Sequence, residues 1–294
     1  MIRSLVVSLI LLSGCVTVPD KVSEGPLPAG SGIAAFEGLP GTVMRVHYHR
    51  PDNYRPDAPV LMVLHGVKRN ADWYRDVWRD LSDRHGFLVL APEFDWDRFP
   101  GGRSYNRGNM RAKGGAPVPQ QEWSFNAVEA LFDAARAWTG STRQGYLMFG
   151  HSAGAQFVHR MITFMPALRL EGAVAANAGW YTMPDKQQAY PYGLDGVRIT
   201  VAQLRVAFGR NLTVMLGDAD TDSNHRHLHN TPAAKRQGPH RYARGLSYFD
   251  RAQAAASTNG VPFAWRLEIV PDAGHSTKAI RADAAEILLH RPRP

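Results

Sequence analysis

Ser152 is the side chain best placed to attack a carbonyl. It sits in Gly150-His151-Ser152-Ala153-Gly154, after the apolar run Tyr146-Leu147-Met148-Phe149 and before a helix-forming stretch at 156–162. A Gly-x-Ser-x-Gly pentapeptide where a strand turns into a helix holds its serine on a tight, strained turn, with the hydroxyl clear of the backbone. A serine hydroxyl is a weak nucleophile at neutral pH and needs a general base, which in turn needs an orienting group. His275 suits the base: it ends Pro271-Asp272-Ala273-Gly274-His275, just beyond the apolar run at 263–270, and Gly274 permits the turn that presents the imidazole. Between the two lies Asp218-Ala219-Asp220-Thr221-Asp222, directly after the apolar run 212–217. Asp220 is the favoured acid, with Asp218 and then Asp222 as alternatives.

Serine attack on a carbonyl makes an oxyanion, which needs hydrogen-bond donors. The N–H that follows the nucleophile, at Ala153, is one. The Val67 N–H, in the His65-Gly66-Val67 turn after the buried run 60–64, is assigned as the second. Trp180 and Tyr181 follow Ala176-Asn177-Ala178-Gly179 and are placed as an aromatic wall beside the acyl group. The alternating histidines of His225-Arg226-His227-Leu228-His229 lack a metal-ligand spacing and read as a basic loop, so neither metal nor cofactor is expected.

These loops need elements to hold them. Continuous apolar runs at 60–64, 87–92, 146–149, 172–178, 212–217 and 263–270 read as buried strands, and 43–48 alternates like an early antiparallel one. Helical spacing occupies 71–85, 124–138 with Ser124 as its cap, 241–257 and 275–290. A polar, Gly-rich loop fills 93–121, longer than a connector requires. Strands alternating with helices specify an α/β fold, a mostly parallel central sheet flanked by helices on both faces. Reactive groups collect at the carboxyl ends of such strands.

Together, Leu64-His65-Gly66-Val67, the 150–154 pentapeptide, Gly217-x-x-Asp220 and Gly274-His275 resemble the α/β-hydrolase superfamily across about residues 40–290. Within it the chain looks like the bacterial polyhydroxybutyrate-depolymerase-like and feruloyl-esterase-like branch. The resemblance implies an α/β-hydrolase fold and a Ser152, His275, Asp220 triad. It also implies cofactor-free cleavage of a small or polymeric carboxylic ester through an acyl-enzyme. An acyltransferase with the same triad, or a non-catalytic binding lipoprotein of the cell envelope on the same scaffold, are the alternatives. The chain departs from many relatives in carrying Val67 where they have cysteine.

The N-terminus adds a location. Met1-Ile2-Arg3, an apolar stretch to Leu12 and small residues before Cys15 read as a secretory signal. Leu12-Ser13-Gly14-Cys15 resembles the lipobox of bacterial lipoproteins. The expected organisation is a lipoprotein signal peptide at 1–14, a lipidated tether at 15–35 and a catalytic domain at 36–294. Cys15 is the lipidation site and the chain's one cysteine, so an internal disulfide is excluded. The expected partner is a membrane through this N-terminal lipid anchor, at the cell envelope. Val16 after Cys15 favours the outer membrane, facing the periplasm. The net charge of +8 suits an anionic envelope surface. Its arginines are scattered and no nucleic-acid motif accompanies them, so nucleic acid is not an expected partner.

Overall fold

In the computed structural model, which describes residues 22–290, eight strands form one sheet. They are β1 (Gly30–Leu39), β2 (Thr42–Arg50), β3 (Val60–Leu64), β4 (Leu88–Pro92), β5 (Tyr146–His151), β6 (Leu170–Ala176), β7 (Leu212–Gly217) and β8 (Arg266–Val270). The order across the sheet is β1-β2-β4-β3-β5-β6-β7-β8. β1 pairs antiparallel with β2, and β2 with β4; every pairing from β4 to β8 is parallel. β3, β4, β5 and β7 are buried along their whole length, which is why they read as unbroken apolar runs.

The helices are α1 (Ala71–Val77), α2 (Arg79–His85), α3 (Gly101–Ser104), α4 (Asn126–Thr139), α5 (Ala153–Phe164), α6 (Val201–Phe208), α7 (Pro232–Lys235), α8 (Arg241–Thr258) and α9 (Thr277–His290). Side chains alternate across a strand. Val60, Met62 and Leu64 of β3 therefore enter one core, with Val128 and Leu131 of α4, Phe157 and Val158 of α5 and Tyr248 of α8. Leu61 and Val63 enter the other, with Tyr74 of α1, Leu81 of α2 and Ile280 of α9. The sheet is thus covered on both faces.

Four details differ from the sequence reading. The tether assigned to 15–35 does not reach residue 35. β1 starts at Gly30, Leu27 is buried, and Ser23 exchanges hydrogen bonds with Ala35. Ala34 and Phe36 supply the inward face that the Gly- and Ser-rich surroundings obscured. The helix expected over 71–85 is two helices that meet at Trp78, whose buried ring packs edge-on against Phe149. Ser124 does not cap α4, which starts at Asn126; its hydroxyl donates instead to the Ser104 carbonyl. The final strand and helix are shorter than expected, which leaves His275 in the loop between β8 and α9. Cys15 and the signal segment lie outside the described residues.

Candidate active site

β5 ends at His151 and α5 begins at Ala153, so Ser152 alone makes the turn, with φ 58° and ψ −112°. That left-handed strain is affordable because its flanks are glycine. A Cβ on Gly150 would sit 2.4 Å from the Gly154 carbonyl oxygen, and one on Gly154 would sit 2.0 Å from that of Leu64. The crossing of β3, β5 and α5 is therefore possible only without side chains at those positions.

Ser152, His275 and Asp220 come together from three strand ends. His275 Nε2 lies 3.1 Å from Ser152 Oγ, and His275 Nδ1 lies 2.7 Å from Asp220 Oδ2. A carboxylate only accepts, so Nδ1 carries the proton and Nε2 is left with its lone pair towards the serine. Asp220 is 3% exposed, whereas Asp222 is exposed and caps its own turn by accepting the Asn224 N–H. The carboxylate of Asp220 is the one that meets His275.

Several neighbours of this chain carried no clear signal in the sequence. Arg241, the first residue of α8, is buried and places Nη1 3.3 Å from Asp220 Oδ1, while its Nη2 donates to His225 Nδ1. Asn177, in a left-handed conformation just past β6, ties two loops together. Its Oδ1 accepts the Gly217 N–H at 2.9 Å and its Nδ2 donates to the Gly274 carbonyl at 3.3 Å. His151 packs its ring 4.5 Å from that of His275 and contacts the Tyr74 hydroxyl through Nδ1 at 3.1 Å. Burial, then the charges of His275 and Arg241, hold His151 well below the usual histidine range, so it stays neutral.

Ala153 opens α5, where a backbone N–H has no intrahelical acceptor and the helix dipole favours negative charge. Val67, 39% exposed, lines the cleft with Ser152, and the adjoining Gly66 lies close enough that an added Cβ would sit 3.8 Å from that of Ser152. Buried His65 pins that turn: Nδ1 meets the Gly66 carbonyl, Nε2 accepts the Phe94 N–H, and its own carbonyl accepts from Tyr105. Burial, then Arg69, pulls the His65 pKa down to about 3.

The cleft has two lobes that meet at Ser152. One, of about 400 Å³, is lined by Arg69, Trp96, Gln156, Trp180 and Tyr192. The other, of about 510 Å³, is lined by Lys68, Trp73, Tyr74, His225 and Arg226. Trp180 faces the first lobe between Arg160 and the rings of Tyr192 and His229. Tyr181 does not line it, contrary to the sequence reading. Its side chain points the opposite way, is wholly buried and stacks on Tyr248 at 4.4 Å, while Gln237 clasps its backbone. His225, His227 and His229 do not converge, and among the described residues no cluster of three or more His, Cys, Asp or Glu side chains is arranged to hold a metal ion.

No protein-family model matches the chain. A solved structure of poly(aspartic acid) hydrolase-1 from Sphingomonas sp. KT-1 is 42% identical and superposes with a TM-score of 0.87, covering 89% of this chain and 99% of that one. A poly(3-hydroxybutyrate) depolymerase from Bordetella parapertussis is 37% identical with a TM-score of 0.85, over 91% of this chain and 92% of its own. A bifunctional acetylxylan esterase/xylanase from Neocallimastix patriciarum shares 22% identity over 128 residues, 41% of this chain. The match spans only 17% of that curated protein's length.

Proposed function

Because this chain belongs to the α/β-hydrolase superfamily and is a hydrolase of the esterase and depolymerase type, we propose that it cleaves a carboxylic ester through an acyl-enzyme on Ser152. The observation that carries the reading is the hydrogen-bonded chain Ser152–His275–Asp220 beneath an open cleft. His275 Nε2 takes the hydroxyl proton as Oγ bonds to the carbonyl carbon. Asp220 holds the ring and stabilises the imidazolium. The N–H groups of Ala153 and Val67 receive the oxyanion. The imidazolium then protonates the departing alcohol. Water, deprotonated by His275, attacks the acyl-enzyme and releases the acid. A polymeric ester is supported by the relative named as a poly(3-hydroxybutyrate) depolymerase. Trp180, in the wall of one lobe, is positioned to flank the acyl group.

The reading extends to location. Residues 1–14 act as a signal, Cys15 carries the lipid, and the stretch before Ser23 tethers the domain to the outer membrane, facing the periplasm. The support is the Leu12-Ser13-Gly14-Cys15 sequence. Labelling the full chain with a fluorophosphonate probe, and cells with radioactive palmitate, tests both halves. Wild type takes up both labels, Ser152→Ala loses the first and Cys15→Ala the second. Equal fluorophosphonate labelling of Ser152→Ala sinks the mechanism, and palmitate on Cys15→Ala sinks the anchor.

A further inference from the structure

Gln156 lies one helical turn beyond Ser152 on α5, and Arg160 one turn further. Arg160 is wholly buried, yet among the described residues no carboxylate touches it. Its Nη1 donates to the carbonyls of Asn106 and Gln156 and to Gln156 Oε1, its Nε donates to Thr182 Oγ1, and its Nη2 has no partner. Burial pulls its pKa down to about 9, so it remains a cation at neutral pH.

An arginine can only donate, which decides the orientation of the Gln156 amide. Oε1 must face Arg160, and Asn106 Nδ2 donates to the same oxygen at 2.8 Å. Nε2 is thereby turned away, towards Gly179, where an added Cβ would lie 3.2 Å from it. Gln156 and Gly179 both line the lobe of the cleft that holds Ser152. Gln156 is 6% exposed, and Nε2 donates to no group among the described residues. The same lobe is lined by Arg69, Arg107, His227 and His229 and by no aspartate or glutamate. A fixed donor in front of a buried cation that lies over the Trp180 ring but meets no carboxylate favours an anion, since a buried charge without a counter-charge is costly and a bound one offsets that cost.

We infer that Gln156 is a specificity-determining residue that donates from Nε2 to a carboxylate on the acyl part of the substrate, one helical turn from the scissile carbonyl. Arg160 and Asn106 are positioning residues that hold the amide in this sense. The inference rests on the esterase reading and adds the substrate class: esters whose acyl chain carries a free carboxylate about 5 Å from the reacting carbon, the rise of one turn.

The test compares monomethyl glutarate with its neutral isostere methyl 5-oxohexanoate. Wild type is expected to prefer the carboxylate ester in kcat/KM. Gln156→Leu lowers that preference about 30-fold, the usual value of a hydrogen bond to a charged group. Gln156→Glu keeps an acceptor for Arg160, hence the local packing, but presents a like charge, and lowers the preference further. Competition on the wild-type protein needs no variant: glutarate inhibits more tightly than glutaramide. A preference unchanged in Gln156→Glu, or glutarate binding no better than glutaramide, overturns the inference alone. Failure of wild type to hydrolyse either ester overturns the esterase reading instead.

Discussion

Asp220 is held between the His275 ring on Oδ2 and the Arg241 guanidinium on Oδ1, with almost no access to water. Burial lowers the Arg241 pKa while the neighbouring Asp220 charge raises it, so the carboxylate helps to keep the buried guanidinium ionised in place. Removing one member of such a pair strands the other. Arg241→Met is therefore expected to lower stability by about 3–5 kcal/mol, read as a drop in the urea midpoint. The double variant Arg241→Met/Asp220→Asn is expected to recover part of that loss while remaining inactive; no recovery would show that the pair is not coupled. At this scale the sequence offers types and order but not depth. Three aspartates follow β7 at alternate positions, and only burial and a distance to His275 separate Asp220 from its neighbours. Gln156 and Arg160 were illegible for a related reason. Every residue of α5 is buried, so its polar side chains do not mark a solvent face, and nothing in their spacing says which way they point.

The elements explain why loops so far apart in sequence share one geometry. β5, β7 and β8 run parallel and end on the same side, which brings Ser152, Asp220 and His275 to one rim. Asn177, just beyond β6, completes the alignment by gripping the end of β7 and the loop before His275. Asn177→Gly keeps the left-handed backbone, since glycine adopts φ above zero freely, but deletes both bonds. It is expected to lower kcat for a short ester by roughly 10- to 100-fold with KM little changed, because small misplacements of reacting groups weigh on rate more than on binding. A change confined to KM would contradict this positioning role. The parallel strands were legible because burial on both faces writes itself as an apolar run. β1 was hidden by Gly30, Ser31 and Gly32 at its start, a composition that equally describes a tether. α6 was missed because its eight residues bury only Leu204, Ala207 and Phe208, too narrow a stripe to stand out.

Across the whole molecule, three of the buried histidines have pKa values pushed down: His65 after β3, His151 at the end of β5 and His159 within α5. Each is neutral because burial penalises its charged form, with His65 held at about 3 and the other two well below the ordinary 6.5. Two of them also accept a backbone N–H, His65 from Phe94 and His159 from Thr182, so a proton on either ring would set donor against donor. In the unfolded chain all three titrate near 6.5. Between that value and their folded pKa values the unfolded state binds more protons, so stability rises with pH and is lost as pH falls. The contribution is complete above about pH 7 and erodes below about 6.5, by up to roughly 4 kcal/mol per pH unit once all three are protonated only in the unfolded chain. Urea unfolding at intervals from pH 7.5 to 4.5 reads this slope while the unfolded-state carboxylates are still mostly ionised. Replacing His159 with Gln, which keeps an acceptor for the Thr182 N–H, should flatten the slope by about one proton's worth, roughly 1.4 kcal/mol per pH unit. A stability that stays level from pH 6.5 to 4.5 would mean that these rings take up their protons in the folded protein, against the burial and hydrogen bonding that keep them neutral.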